Sequence, residues 1–141
     1  MTAHDLALAQ ARGRIAVGAA FFLAPGLAGR LWIGDDARRR AVKVLARAFG
    51  ARDLAIGLGV VIALDRGAPV RGWLEAGVLS DTLDFSASLL AGKSIPRDLR
   101  RFALALGGGS AALGALLSRA LDEPVGPDEV QAPEAALTGH R

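Results

Sequence analysis

Long apolar stretches separated by short, charged connections constrain this chain more than any other feature. The clearest runs from Phe102 to Ser118 without a single charge. Ala, Gly and Leu dominate these stretches and β-branched residues are a minority, which favours helix over strand. Hydrophobic residues make up 52% of the 141 and the mean hydropathy is +0.35, more than a soluble domain of this size requires. The pattern predicts an all-α fold, a four-helix transmembrane bundle over residues 1–121, with helices at about 12–33, 37–64, 70–91 and 99–121. Residues 122–141, with Pro124, Pro127, Pro133, five acids and one arginine, read as a disordered acidic tail.

The first segment, from Ile15 to Ile33, is about long enough to cross a bilayer core, with Pro25 expected to kink it. Arg12 and Arg14 before an apolar run also fit a signal peptide, but the three further apolar segments favour a bundle helix. Asp35 or Asp36 is expected to cap the second helix. The third segment differs from the rest in carrying Glu75, Asp81 and Asp84.

Basic residues gather at segment ends rather than among aromatics. That suits membrane flanks and argues against nucleic acid as a partner. Arg30, Arg38, Arg39, Arg40, Lys43, Lys93, Arg97, Arg100 and Arg101 lie near the first and third connections, and Arg12, Arg14, Arg66, Arg71 and Arg119 near the opposite side. Nine against five places connections 34–43 and 92–98 in the cytoplasm and both termini outside a cell membrane. Trp32 and Trp73 read as interface anchors.

In lipid, helices associate through close contact of small residues. Gly107, Ala111, Gly114 and Ser118 form such a face on the fourth helix, and Ala46, Gly50 and Gly57 on the second. Packing within the chain is the simplest use of both, and a homo-oligomer or membrane-complex partner an alternative one. The candidate site is an intramembrane charge cluster. Asp81 and Asp84 share one side of the third helix, and ionised carboxylates in a bilayer need partners or water. Arg47 and Arg52 on the second helix are the expected partners, with Asp53 a third carboxylate and Asp84 the better placed of the pair. The cluster is either a structural set of ion pairs or the lining of a polar pathway.

Signatures of an enzyme are missing. No serine sits in a nucleophile elbow, and His4 and His140 lie at the chain ends. Gly107-Gly108-Gly109 is not followed by the Lys-Ser or Lys-Thr of a phosphate loop. The D-x-x-D spacing of Asp81 and Asp84 lacks the further acids of a magnesium-phosphate site, so no metal or cofactor is expected. With no cysteine, disulfides and thiolate sites are excluded. The expectation is a non-enzymatic membrane protein, structural or accessory to a membrane complex. The alternatives are a small transporter or proton-linked carrier using the acidic face, and a soluble helical bundle that binds a partner or lipid.

The stretch APGLAGRLWIGDDARRRAVKVLARAFGARDLAIGLGV carries the pattern R-x-F-G-x-R-D-x-x-x-G in Arg47, Phe49, Gly50, Arg52, Asp53 and Gly57. It resembles a family of uncharacterised small bacterial membrane proteins with a domain of unknown function, loosely DoxX-like in their four-helix layout. Asp81 or Asp84 would match an acidic residue of that family's third helix, over residues 10–120 in all. The resemblance implies the fold and the membrane location and brings no activity with it.

Overall fold

In the computed structural model, which describes residues 1–121, the chain is all-α; the expected tail, 122–141, lies outside the described residues. Helix α1 spans Ala3–Leu23, α2 Pro25–Ile33, α3 Arg40–Asp65, α4 Arg71–Leu90 and α5 Arg97–Ala120. Short 3-10 turns at Gly34–Arg38 and Gly92–Ser94 join α2 to α3 and α4 to α5.

The first expected helix differs in two ways. It begins nine residues earlier, at Ala3 rather than residue 12, because a capping box starts it. Thr2 Oγ1 accepts from the Asp5 amide at 3.1 Å, and the Thr2 amide donates to Asp5 Oδ2 at 2.8 Å. It also breaks rather than kinks. Ala24 leaves the helical region (φ −124°, ψ 56°), as the ring of a following proline favours, and Pro25 becomes the first residue of α2, where its missing N–H costs nothing. Asp35 and Asp36 do not cap α3. The cap position is Arg39, without a side-chain cap, and the two aspartates form exposed ion pairs with Arg30, Arg38 and Arg39.

Two antiparallel pairs, α1 with α3 and α4 with α5, make the most extensive contacts, and α3 meets α4 to join them. Glycine lets α1 and α3 approach. A Cβ on Gly50 would stand 2.5 Å from the Gly18 carbonyl oxygen, and one on Gly18 would stand 2.7 Å from the Gly50 oxygen. Gly57 lies against the backbone of Ala11 and Ile15 in the same way. Gly107 and Gly114 face α4, with Asp81 and Val78 as their nearest neighbours. Ser118 is buried, while Ala46 and Ala111 are half-buried.

Among the described residues no large side chain is completely buried, Leu117 at 3% and Leu74 at 4% exposure coming nearest among the leucines. The apolar core is Ala7, Ala11, Val60, Ala63, Val70, Leu74 and Leu117. Large apolar residues project outward instead, among them Leu31, Leu45, Leu79, Leu83, Leu90 and Leu116, each at least 59% exposed. Among the described residues two helices, α1 and α5, are long and apolar enough to cross a membrane.

Glycine close approach is testable by adding one methyl group. Gly18→Ala and Gly50→Ala should each destabilise the detergent-solubilised protein by about 1–3 kcal/mol, because the new carbon meets backbone that cannot move aside. Gly109, where a Cβ meets nothing within 4 Å, should accept alanine with no loss and a gain of up to about 1 kcal/mol. Melting curves of the three variants check this. Equal losses would remove the α1–α3 contact from the account.

Candidate functional site

Arg14 stands at the centre of the bundle. It lies near the middle of α1, and its side chain is 8% exposed. One guanidinium nitrogen donates to Asp53 Oδ1 on α3 at 2.9 Å, and another to Asp81 Oδ2 on α4 at 2.5 Å. The glycine at position 77 makes room for it, since a Cβ there would lie 3.2 Å from Arg14 Nη2. Charge-assisted bonds of this kind are the strong ones, and the planar fork of arginine serves two carboxylates at once.

A second pair adjoins the first. Arg52 donates to both oxygens of Asp84, at 3.2 and 2.5 Å, and its charge lies 3.6 Å from Asp53 Oδ1. The Arg52 guanidinium also stacks 4.6 Å above the ring of Phe49. Phe49 in turn belongs to an aromatic group with Phe21 and Trp32, and Trp32 reaches Phe102 on α5. Trp32, expected as an interface anchor, is thus packed inside this group. Trp73 remains exposed at one edge, against Gly59.

Of the expected cluster, Arg52, Asp53, Asp81 and Asp84 come together and Arg47 does not. Arg47 is exposed, with no ion pair among the described residues. The reason is helical geometry: positions 47 and 52 are five residues apart, about 140° around a helix, and cannot share one face. Arg14, absent from the expected cluster, takes the central place. Its role was hidden by the early start of α1. Counted from residue 12 it is a flanking charge, and counted from Ala3 it is mid-helix. The Thr2-x-x-Asp5 capping pattern is the sequence signal that could have located it. Glu75 lies outside the network, paired with Arg71 at 2.7 Å on the surface of α4.

Between α1 and α5 the bundle is not closed. A cavity of about 350 Å³ opens there. Arg14, Asp53, Asp81 and Asp84 line its polar side, and Val17, Leu106 and Leu113 its apolar walls. Gln10 ties the two helices together beside it, donating to the Ser110 carbonyl at 2.9 Å and to its hydroxyl at 3.2 Å. Two buried donors near the helix interfaces, Arg52 Nε and Ser80 Oγ, have no hydrogen-bond partner. Comparison of the chain with protein-family models, curated proteins and solved structures finds no match.

Removing Arg14 strands Asp81 and leaves Asp53 only the 3.6 Å approach of Arg52, both carboxylates being about nine-tenths buried. Arg14→Leu should therefore destabilise by about 3–5 kcal/mol, the range for breaking a buried pair. Arg14→Leu combined with Asp81→Leu should recover part of that loss, because fewer unpaired charges remain. A double-mutant cycle by denaturant or heat in detergent reads the coupling. Strict additivity would mean that the two side chains do not interact.

Proposed function

We propose that this chain is a multi-pass integral membrane protein, structural or accessory to a membrane complex, with four membrane-crossing units: α1 with its re-entrant-like extension α2, then α3, α4 and α5. The observation that carries the proposal is inverted burial. Leucines such as Leu31, Leu79, Leu83 and Leu116 face outward, only Leu74 and Leu117 among the described leucines are buried, and Arg14, Asp53 and Asp81 lie inside. In water the hydrophobic effect drives the opposite arrangement. In lipid, outward leucine is neutral, and inward charge with small-residue contact is the favourable arrangement. The resemblance to small DoxX-like membrane proteins agrees with this reading.

Arg14 pairs inside the bundle and Arg12 lies midway along α1, so neither is a flanking charge. Only Arg66, Arg71 and Arg119 remain on that side, against the nine near connections 34–43 and 92–98. The bias supports cytoplasmic placement of those two connections and outward termini.

Arg12 favours the accessory role. It is exposed on a face of α1 where Ala9, Gly13, Ala16 and Ala20 replace the leucines found elsewhere. A lone cation at mid-span in contact with lipid is costly, whereas small residues suit another helix. A soluble bundle would be released from cells without detergent. This chain should stay in the membrane pellet through alkaline carbonate and leave it only with detergent. Because native cysteine is absent, single cysteines test the sidedness. Ala37 is buried and unsuitable, so Asp36 and Ala68, both exposed, are the positions. Asp36→Cys should resist an impermeant thiol reagent in intact cells and Ala68→Cys should react. The reverse labelling inverts the topology, and release by carbonate removes the membrane reading.

A further inference from the structure

The buried network holds one more carboxylate than it has guanidinium groups and leaves two carboxylate oxygens unused, and the residues that carry them line one cavity. Three carboxylates, Asp53, Asp81 and Asp84, meet two guanidiniums, Arg14 and Arg52. With every member ionised, the cluster carries one negative charge in excess. Arg52 satisfies both oxygens of Asp84. Arg14 satisfies only one oxygen each of Asp53 and Asp81. Asp53 Oδ2 and Asp81 Oδ1 accept no hydrogen bond from the described residues, although both side chains are about nine-tenths buried and both residues line the cavity.

We propose that the cavity between α1 and α5 binds a small organic ammonium ion, which donates to the free oxygens of Asp53 and Asp81 and lays an apolar body against Val17, Leu106 and Leu113. Each part of the site asks for a different part of such a ligand. The excess negative charge asks for a cation, and the free oxygens ask for N–H donors. The apolar walls exclude a bare metal ion, which needs a shell of oxygens on all sides. The volume, about 350 Å³, is at the lower end of small-molecule pockets, so the body is compact. Trp32, also at the cavity wall, adds a π-face that Arg52 does not occupy.

The inference rests on the membrane reading for the cost of the excess charge, and carbonate extraction decides that reading separately. The binding test uses the full chain purified in detergent, with phenethylamine as the probe. Phenethyl alcohol and phenylpropionate serve as neutral and anionic counterparts of similar shape. Calorimetry and melting curves should show the amine binding at least about tenfold more tightly than the alcohol, the difference one charge-assisted contact supplies, and raising the melting temperature. The carboxylate should not bind. Gly109 lines the cavity and a Cβ there meets no neighbour within 4 Å, so Gly109→Leu adds bulk at the cavity wall away from the ion network. It should abolish amine binding while the unliganded protein melts as before; Ala105→Phe, one turn earlier, serves if that variant does not fold. Equal binding of amine and alcohol would overturn the proposal. So would amine binding that survives both cavity-filling variants, or a network that takes up one proton near neutral pH and shows no preference for the amine.

Discussion

The bonds from Arg14 to Asp53 and Asp81 hold three helices in one register. Arg14 belongs to α1, Asp53 to α3 and Asp81 to α4, so a single guanidinium ties both antiparallel pairs together. Such a group is expensive to bury, and its return depends on finding both carboxylates at hydrogen-bond distance. The register that satisfies Arg14 also aligns Arg52 with Asp84 and sets Gly77 where a larger residue would collide with the guanidinium. An alternative packing of the same helices, slid by one turn, would leave charges without partners. The network therefore contributes specificity of packing as much as stability.

Close approach and the network need each other. Gly18, Gly50 and Gly57 bring α1 and α3 to backbone contact, and across that interface Arg14 bonds Asp53. The α1–α3 interface is consequently built from small and polar groups, and many of the large apolar side chains project outward, while Ile56, Val60, Leu74 and Leu117 stay buried. The α1–α5 side lacks a comparable glycine contact. Gln10 bridges it to Ser110, and the unfilled space beside that bridge is the cavity. The same charges that fix the packing thus form the polar wall of that cavity.

The helical class was legible because apolar run length and Ala-Gly-Leu composition report on backbone state directly. Gly50, Gly57, Gly107 and Gly114 were legible as contact residues because three- and four-residue spacing maps to one helix face. The partner of each face was not, since spacing within one helix carries no information about which neighbour it meets. Charge cost called for an arginine of the second helix to meet Asp81 or Asp84, and position along the helices favoured Asp84; it did not choose Arg52 over Arg47. Arg14 was not legible, because its meaning depends on where α1 begins, and a capping hydrogen bond at Thr2 and Asp5 decides that rather than hydropathy. Arg47 lies outside the network for the complementary reason: proximity in sequence does not give it the face of α3 that Arg52 shares with Asp53. The break at Ala24 shows the same limit, since Pro25 signals a disruption without fixing its angle.

The central claim is that the outward leucines face lipid while the charges lie within. Site-directed spin labelling in reconstituted bilayers addresses it most directly, with cysteines replacing Leu83 on α4 and Leu116 on α5, which are 59% and 64% exposed. Relaxation by molecular oxygen, which concentrates in the hydrocarbon, should dominate at both positions. Relaxation by a water-soluble nickel chelate should be weak there and strong at a label replacing exposed Ala68 in the α3–α4 connection. If Leu83 and Leu116 are as accessible to the nickel chelate as position 68, these faces meet water and the account is wrong.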